Sequence, residues 1–222
     1  SRINAVLARR QPGSALKPFI YALALEKGWT AATLINDAPL EEGVGYGMHE
    51  YDNYSRSFYG PISLREALGN SLNIPAVKAL QYVGGENFLA FLHTVGITSL
   101  LEHPNHYGDG IALGNGEVSL LEMVQAYTVL ARGGVYRPLS WQAARGKRSG
   151  SLRVMSAETA SLISDILSDP AAREKEFGWG SILNLPYQTA VKTGTSSGYH
   201  DAWAFGYNDA FTVGVWLGNL DY

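Results

Sequence analysis

Apolar side chains recur at helical spacing through the first two thirds of the chain. Phe19, Ile20 and Leu23 belong to a broad apolar face that predicts a helix over residues 14–27, ending at Gly28. Elsewhere a serine is followed three residues on by a glutamate, the pairing of a capping box at a helix start. Similar patterns predict further helices over 63–69, 75–83, 86–95, 119–132 and 156–168.

The last third of the chain changes to the pattern of strands. Segments that alternate, or that run β-branched and aromatic, predict strands over 187–195, 202–207 and 211–217. Asn208-Asp209 fits a two-residue hairpin turn between the last two. Residues 36–60 and 104–116 are rich in glycine and polar residues, which predicts loops, the first a lid-like excursion. Helices followed by an antiparallel meander indicate an α+β fold.

The composition narrows the function classes. The chain has 222 residues and 46% hydrophobic content, enough for a buried core in one domain or in a domain plus a lobe. The net charge is −3, and the densest basic stretch, 145–148, fits a solvated loop, so no nucleic-acid partner is expected. No run of 18 apolar residues is present, so a membrane anchor is expected only outside this segment.

The sequence predicts neither a metal nor a cofactor. With no cysteine there are no disulfides and no thiolate ligands. His103 and His106 are the only close histidine pair, and their proline- and glycine-rich surroundings indicate a surface loop. No phosphate-cradling glycine loop is present.

Ser14-Ala-Leu-Lys17, directly after a Pro-Gly turn, is the most informative motif. Side chains three residues apart lie on one face of a helix, so Lys17 can reach the Ser14 hydroxyl. A serine needs a base to become a nucleophile, and a lysine can serve only when burial or a neighbouring cation lowers its pKa. Lys192 is the candidate neighbour. Taken alone, the motif is better explained by an N-capping serine and a surface lysine.

Two further motifs follow in order, Ser71-Leu-Asn73 and Lys192-Thr-Gly-Thr195. Ser71 offers a second hydroxyl as a proton carrier, while the Asn73 amide can donate to a substrate carbonyl and orient the first lysine. Lys192 and the threonine hydroxyls could hold a substrate carboxylate, and Gly194 in a strand is typical of a place where a ligand approaches the backbone. Each motif alone fits loop, capping or edge-strand residues. All three in this order favour one shared site, that of serine acyltransferases acting on penicillin-like and D-alanyl-D-alanine-like amides.

The chain resembles the transpeptidase domain of bifunctional class A penicillin-binding proteins, and within them the 1C subgroup. Beyond the three motifs, the resemblance is carried by stretches that together cover nearly the whole chain, within 10–18, 64–77, 112–118, 201–207 and 213–218. It implies a helical lobe plus an antiparallel β-sheet covered by helices, the fold shared with serine β-lactamases.

The resemblance also implies a role for each motif residue. Ser14 would be the nucleophile and Lys17 the base. Ser71 would be the proton relay and Asn73 the substrate anchor, while Lys192 would bind the substrate carboxylate. Thr193, Gly194 and Thr195 would line the substrate, with Thr193 at its carboxylate. The backbone N–H groups of Ser14 and Thr195 would form the oxyanion hole.

Such enzymes cross-link peptidoglycan on the outer face of the bacterial inner membrane. They release the terminal D-alanine of one stem peptide and pass the acyl group to an amine on a neighbouring one. The implied partners are therefore peptidoglycan stem peptides and, as covalent inhibitors, β-lactams. The resemblance leaves open the cross-link type, the acceptor amine and the oligomeric state.

The chain departs from this pattern at its ends. In the family, strands precede the serine helix and a helix follows the last strand, whereas here few residues precede Ser14 and few follow Gly218. A three-stranded sheet with an uncovered face would be poorly stable. We therefore expect residues 1–222 to be a transpeptidase domain incomplete at both ends, with joins near 40–50 and 140–152. No glycosyltransferase region is recognised either.

Two rival functions share the first chemical step. A β-lactamase hydrolyses the acyl-enzyme, and its class A type uses a glutamate with an asparagine four residues later. Glu102 and Asn105 miss that spacing by one residue, so the sequence disfavours this alternative. A penicillin-sensing receptor is acylated without turnover, and the resemblance of the stretches 114–117 and 201–218 favours the transpeptidases over it.

Overall fold

The computed structural model describes residues 4–44, 47–140 and 150–220. Within these ranges, eight α-helices and four 3₁₀ segments accompany a three-stranded antiparallel sheet and four two-stranded pairs. Helices and an antiparallel sheet built from separate parts of the chain confirm the predicted α+β class.

The first helix begins later than the sequence pattern predicted. Residues Gly13–Leu16 form a 3₁₀ turn, and the α-helix α1 spans Lys17–Glu26. Pro18 has no N–H, so it cannot make the α-type bond to the Ser14 carbonyl four residues before it. That carbonyl instead accepts from the Lys17 N–H, the i+3 bond of a 3₁₀ turn. Eight of the ten residues of α1 are buried, so α1 lies inside the core.

The remaining predicted helices are present within about two residues of their expected limits. They are α2 (Leu64–Gly69), α3 (Asn73–Val83), α4 (Gly85–Thr94), α6 (Leu120–Ala131) and α7 (Ala157–Ser168). Capping boxes begin α2 and α6, at Ser63 and Ser119. Two short helices, α5 (Pro104–Tyr107) and α8 (Glu174–Phe177), were not predicted. With a 3₁₀ turn over Gly108–Leu113, α5 replaces the loop expected over 104–116.

The strands are, in chain order, β1 (Arg9–Arg10), β2 (Leu34–Asp37), β3 (Leu40–Val44), β4 (Gly47–Tyr51), β5 (Gly60–Ser63), β6 (Val118–Ser119), β7 (Val135–Tyr136), β8 (Leu152–Arg153), β9 (Ala190–Thr195), β10 (Asp201–Tyr207) and β11 (Thr212–Gly218). The three-stranded sheet has the order β11-β10-β9, with Trp203 opposite both Gly194 and Trp216. The predicted first strand, 187–195, was three residues too long.

The predicted two-residue hairpin turn is wrong. Tyr207 pairs with Thr212, so four residues, 208–211, connect β10 and β11. The Asn208 side-chain oxygen accepts from the backbone N–H groups of Ala210 and Phe211, both at 2.9 Å. These are the bonds of an asparagine-stabilised turn, and the Asn208 backbone N–H also donates to the Phe211 carbonyl at 3.0 Å.

The excursion over 36–60 is not the loop that the sequence predicted. Strand β2 pairs with β5, and β3 pairs with β4 in a hairpin. The β2–β5 pairing closes the base of this excursion, with Asp37 opposite Gly60. The segment 51–59 is thereby returned to the body of the molecule, where it meets the motif residues described below.

The core lies between the helices and one face of the three-stranded sheet. Trp203, Phe205 and Tyr207 alternate onto this face and are buried. The Phe205 ring stacks on Tyr127 of α6, with 4.5 Å between the ring centroids. The opposite face exposes Val213, Val215 and Leu217.

Three sequence expectations fall wholly or partly outside the described residues. The join expected near 140–152 and the basic stretch 145–148 include residues of the gap at 141–149, and the join near 40–50 includes 45–46. Among the helices of the described part of the chain, none combines the length and apolarity needed to cross a membrane.

Candidate active site

Ser14 and Lys17 project from one side of the 3₁₀ turn that precedes α1. In a 3₁₀ turn, side chains three residues apart eclipse one another. The backbone bond from the Lys17 N–H to the Ser14 carbonyl fixes that spacing. Ser14 is half-buried, whereas Lys17 is fully buried. The hydroxyl therefore stands one turn before an enclosed amine.

Two aromatic side chains of the core hold this turn. The Trp203 indole N–H donates to the Gln11 carbonyl at 2.9 Å. The Tyr127 hydroxyl donates to the Ala15 carbonyl at the same distance. Both aromatic side chains are at most 3% exposed. Because the donors come from the packed core, the position of Ser14 is set by the sheet and by α6.

Three glycines allow backbone segments to stack around the turn without side chains. A Cβ on Gly13 would lie 2.0 Å from the Thr195 carbonyl oxygen, and one on Gly114 would lie 2.2 Å from the Gly13 oxygen. A Cβ on Gly194 would lie 2.2 Å from the Pro12 oxygen. The end of β9 thus packs directly on the turn that carries Ser14, so the first and third motifs are neighbours.

Ser71 links the two motif lysines. The Lys17 ammonium donates to the Ser71 carbonyl at 2.6 Å, and the Lys192 ammonium donates to the Ser71 hydroxyl at 2.8 Å. Lys192 also donates to the Thr193 carbonyl at 2.7 Å. The backbone of Ser71 has a φ of 60°, in the left-handed region that only a few per cent of non-glycine residues adopt.

Asn73 completes the cluster from the first turn of α3. Its side-chain oxygen accepts from Lys17 at 2.6 Å, and its amide nitrogen donates to the Asp52 carbonyl at 2.6 Å. An asparagine amide has two N–H groups. Asn73 therefore both orients Lys17 and has a second N–H besides the one directed to Asp52.

Both lysines have a lowered pKa. Burial holds the pKa of Lys17 well below its usual range, and the charge of Lys192 adds to the effect, while Glu176 opposes it. Burial lowers the pKa of Lys192 to about 7, assisted by the charge of Arg173. Arg173 is 4% exposed and donates to the carbonyl of Leu167 at the end of α7. The lowered pKa values bring both amines closer to the neutral form that a proton acceptor requires.

The third motif presents alternating faces along β9. Lys192 and Gly194 face the helices and are buried, whereas Thr193 is half-buried and Thr195 is exposed on the other face. Strand β9 is an edge of the sheet. An edge strand offers backbone groups beside which an extended peptide can lie.

Several residues of the site carried no sequence signal. Asn70, buried next to Ser71, donates to the Ala172 carbonyl and accepts from the Glu176 N–H, both at 2.9 Å. The Glu176 carboxylate in turn accepts from the Tyr59 hydroxyl at 2.8 Å. These contacts join segments more than 100 positions apart, and neither periodicity nor spacing reveals such pairs.

His103 and His106 lie at the N-cap and in the last turn of the short helix α5. His103 caps α5 by accepting from the Asn105 N–H at 3.2 Å. Within the described ranges, no group of three or more histidine, aspartate or glutamate side chains is placed to hold a metal ion.

Comparisons with known proteins point to one family. A family model described as the penicillin binding protein transpeptidase domain matches residues 1–217. Penicillin-binding protein 1C of Escherichia coli K12 is 37% identical over 220 residues, which cover 99% of this chain and 27% of that protein. Penicillin-binding protein 1A of Pseudomonas aeruginosa is 29% identical, covering 97% of this chain and 33% of its own length. The chain thus spans about a third or less of these relatives.

Solved structures match over the whole fold. The crystal structure of penicillin-binding protein 1A from Haemophilus influenzae gives a TM-score of 0.82 at 26% identity, covering 100% of this chain and 40% of that one. PonA1 of Mycobacterium tuberculosis, solved in complex with penicillin V, gives 0.79 at 23% identity, covering 98% and 62%. The latter supports the fold alone. A family model matches nearly the full length of the chain, and the Ser-Lys, Ser-Asn and Lys-Thr-Gly motifs come together in one site. The chain therefore belongs to the transpeptidase domain family of penicillin-binding proteins.

Proposed function

We propose that residues 1–222 form the acyl-transfer domain of a peptidoglycan D,D-transpeptidase that acts through a serine acyl-enzyme. The observation that carries the proposal is the cluster in which Lys17, Ser71 and Lys192 are hydrogen-bonded in series. Lys17 donates to the Ser71 carbonyl and Lys192 to the Ser71 hydroxyl, so both amines lie beside the one hydroxyl that could carry a proton to a leaving amine.

In the first step the Ser14 oxygen attacks the carbonyl of the penultimate D-alanine, and its proton passes to Lys17. The backbone N–H groups of Ser14 and Thr195 would stabilise the oxyanion. Collapse of the intermediate breaks the amide bond, and the departing D-alanine nitrogen takes a proton through the Ser71 hydroxyl. The Ser14 ester and free D-alanine result.

In the second step an amine of a neighbouring stem peptide attacks the ester. Its proton returns through the same groups to the Ser14 oxygen, so a new amide forms and the enzyme is restored. We assign the Asn73 amide to the substrate carbonyl. The terminal carboxylate would be held by the positive charge of Lys192 with the hydroxyls of Thr193 and Thr195, beside Gly194.

The relatives are bacterial proteins, and we propose that this domain acts on the outer face of the inner membrane. Peptidoglycan stem peptides would be its substrates and β-lactams its covalent inhibitors. No cofactor enters the proposed chemistry.

Peptide mass mapping after penicillin treatment tests the nucleophile. We expect one adduct, on Ser14, and none in Ser14→Ala. A matched control is Ser164→Ala, which removes a half-buried hydroxyl that bonds the Ala160 carbonyl on α7, and should be acylated like the native protein. An adduct on Ser71, or one that persists in Ser14→Ala, contradicts the assignment.

The fate of the adduct separates the proposal from its two rivals. Glu176, the carboxylate that acts electrostatically on Lys17, accepts hydrogen bonds from Ser55 and Tyr59 and is therefore engaged. We expect the adduct to last many minutes in intact-mass spectra; rapid loss with consumption of penicillin would indicate a β-lactamase. Incubation with stem peptide and a free D-amino acid should exchange the terminal D-alanine, and a lasting adduct without exchange would indicate a sensor.

A further inference from the structure

Asn73 is held from one side by the segment that returns from the 36–60 excursion. Its amide nitrogen donates to the Asp52 carbonyl at 2.6 Å, and its backbone N–H donates to the side-chain oxygen of Asn53 at 2.8 Å. That backbone N–H belongs to the first residue of α3, where no intrahelical acceptor exists. Two consecutive residues, Asp52 and Asn53, thus fix both the backbone and the side chain that orients Lys17.

Asn53 is itself fixed by a buried carboxylate. Asn53 is 3% exposed, and its amide nitrogen donates to both oxygens of Asp37 at 2.9 Å and to the Ser57 carbonyl at 2.8 Å. Asp37 is fully buried at the end of β2, and it also accepts from the Tyr59 N–H at 2.9 Å. Asp37 forms no ion pair with any residue that the structure describes. Its oxygens are therefore satisfied by amide donors, chiefly that of Asn53.

We infer that Asn53, locked by Asp37, is a positioning residue for acyl transfer: it sets Asn73 and, through Asn73, the Lys17 amine. This inference rests on the proposed function. The side chains of Asn53 and Asp37 do not contact a reacting atom. The effect of Asn53 therefore passes through the 2.6 Å hydrogen bond between Lys17 and Asn73. A lysine side chain has many rotamers, and a buried amine released from a fixed acceptor loses the alignment on which proton transfer depends.

An exchange of the two side chains tests this coupling. In Asn53→Asp a carboxylate faces Asp37 without amide protons between them, so the contact breaks. The double variant Asn53→Asp with Asp37→Asn restores one donor and one acceptor in reversed order, and the new carboxylate can still accept from Asn73. We expect the limiting acylation rate at saturating penicillin to fall at least ~10-fold in Asn53→Asp. The exchange should recover most of that loss.

The matched control is another buried amide outside the site. Gln125 of α6 is 7% exposed, donates to the Thr128 hydroxyl and the Arg137 carbonyl, and accepts from the Leu139 N–H. Gln125→Glu should lower the melting temperature without changing the acylation rate of the folded protein. If Asn53→Asp behaves in the same way, with only its stability reduced, the positioning role is refuted. Lack of recovery in a folded double variant refutes it equally.

A second readout does not depend on acylation. The ¹³Cε resonance of Lys17, assigned with Lys17→Arg, reports the titration of its amine in the absence of penicillin. In Asn53→Ala we expect the pKa of Lys17 to fall further, because its charged form loses a fixed acceptor. An unchanged or raised pKa overturns the inference. If the native protein fails to react with penicillin, the proposed function fails, while this titration still decides whether Asn53 positions Lys17.

Discussion

Replacing Lys192 by methionine should change how the stability of the protein depends on pH. Lys192 is 3% exposed, and burial lowers its pKa from 10.5 to about 7. The unfolded chain therefore binds more protons than the folded protein between these two values. Stability must rise with pH across that window, since the unfolded state loses its extra proton as pH increases. Methionine has a similar length and no charge, so it removes this contribution.

The magnitude follows from the two pKa values. At pH 7, a Lys192 pKa of about 7 in place of 10.5 lowers the free energy of unfolding by ~4 kcal/mol. Raising the pH to 9 should recover about 2 kcal/mol of it. The lowered pKa of Lys17 acts in the same direction. The raised pKa values of the buried Tyr127 and Tyr207 act oppositely at higher pH, so measurements belong between pH 7 and 9.

Urea unfolding at pH 7, 8 and 9 measures the effect. We expect the free energy of unfolding to rise with pH in the native protein, and the rise in Lys192→Met to be smaller by about 2 kcal/mol. Lys27→Met, which changes an exposed lysine at the end of α1, is the control and should parallel the native protein. Parallel curves for native and Lys192→Met would refute the premise that Lys192 is held in a desolvated site.

Two further substitutions test the backbone of the site. Gly194→Ala would place a Cβ 2.2 Å from the Pro12 oxygen. We therefore expect a loss of about 1–3 kcal/mol in stability and at least ~10-fold slower acylation. The control is Gly206→Ala on β10, where the nearest atom to an added Cβ lies at 3.5 Å, and it should change neither quantity appreciably. Ser71→Gly and Ser71→Ala should both slow acylation by ~10²-fold, because the hydroxyl that accepts from Lys192 is lost. The glycine variant should be more stable than the alanine variant by ~1 kcal/mol, and so melt at a higher temperature, because φ at this position is 60°. An alanine variant of equal or greater stability would argue against backbone strain there.

Local signals account for what the sequence predicted about the fold. The helices that begin at Leu64 and Leu120 each follow a capping box, a signal contained in four consecutive residues. The strands of the meander alternate strongly because one face packs on the core. The 3₁₀ start of the first helix also has a local cause, the missing N–H of Pro18. Because the apolar pattern continues without a break from residue 14 onward, it does not reveal the change from 3₁₀ to α-helix at Lys17.

The hairpin over 40–51 could not be predicted in the same way. Strand β3 contains two glutamates and a glycine, which are poor strand formers. Strand β2 finds its partner β5 more than 20 positions later, and such non-local pairing leaves no periodic trace between the two. The charged and polar composition therefore predicts a loop where tertiary pairing makes strands.

Motif spacing predicted which side chains share the site but not what holds them. Lys17, Ser71, Asn73 and Lys192 come together as a hydrogen-bonded cluster. Asn53 approaches this cluster only because the β2–β5 pairing closes the excursion. Its contact depends on the whole fold, and a single sequence gives no sign of it.

The three glycines that border the turn carrying Ser14 have a consequence for how this protein can change over time. Gly13, Gly114 and Gly194 leave less than 2.5 Å between an added Cβ and a facing backbone oxygen. In a library of all single substitutions, these positions should therefore tolerate few replacements, because no volume is available for a side chain. Selected variants would accordingly change side chains around the site, while these three glycines stay as they are.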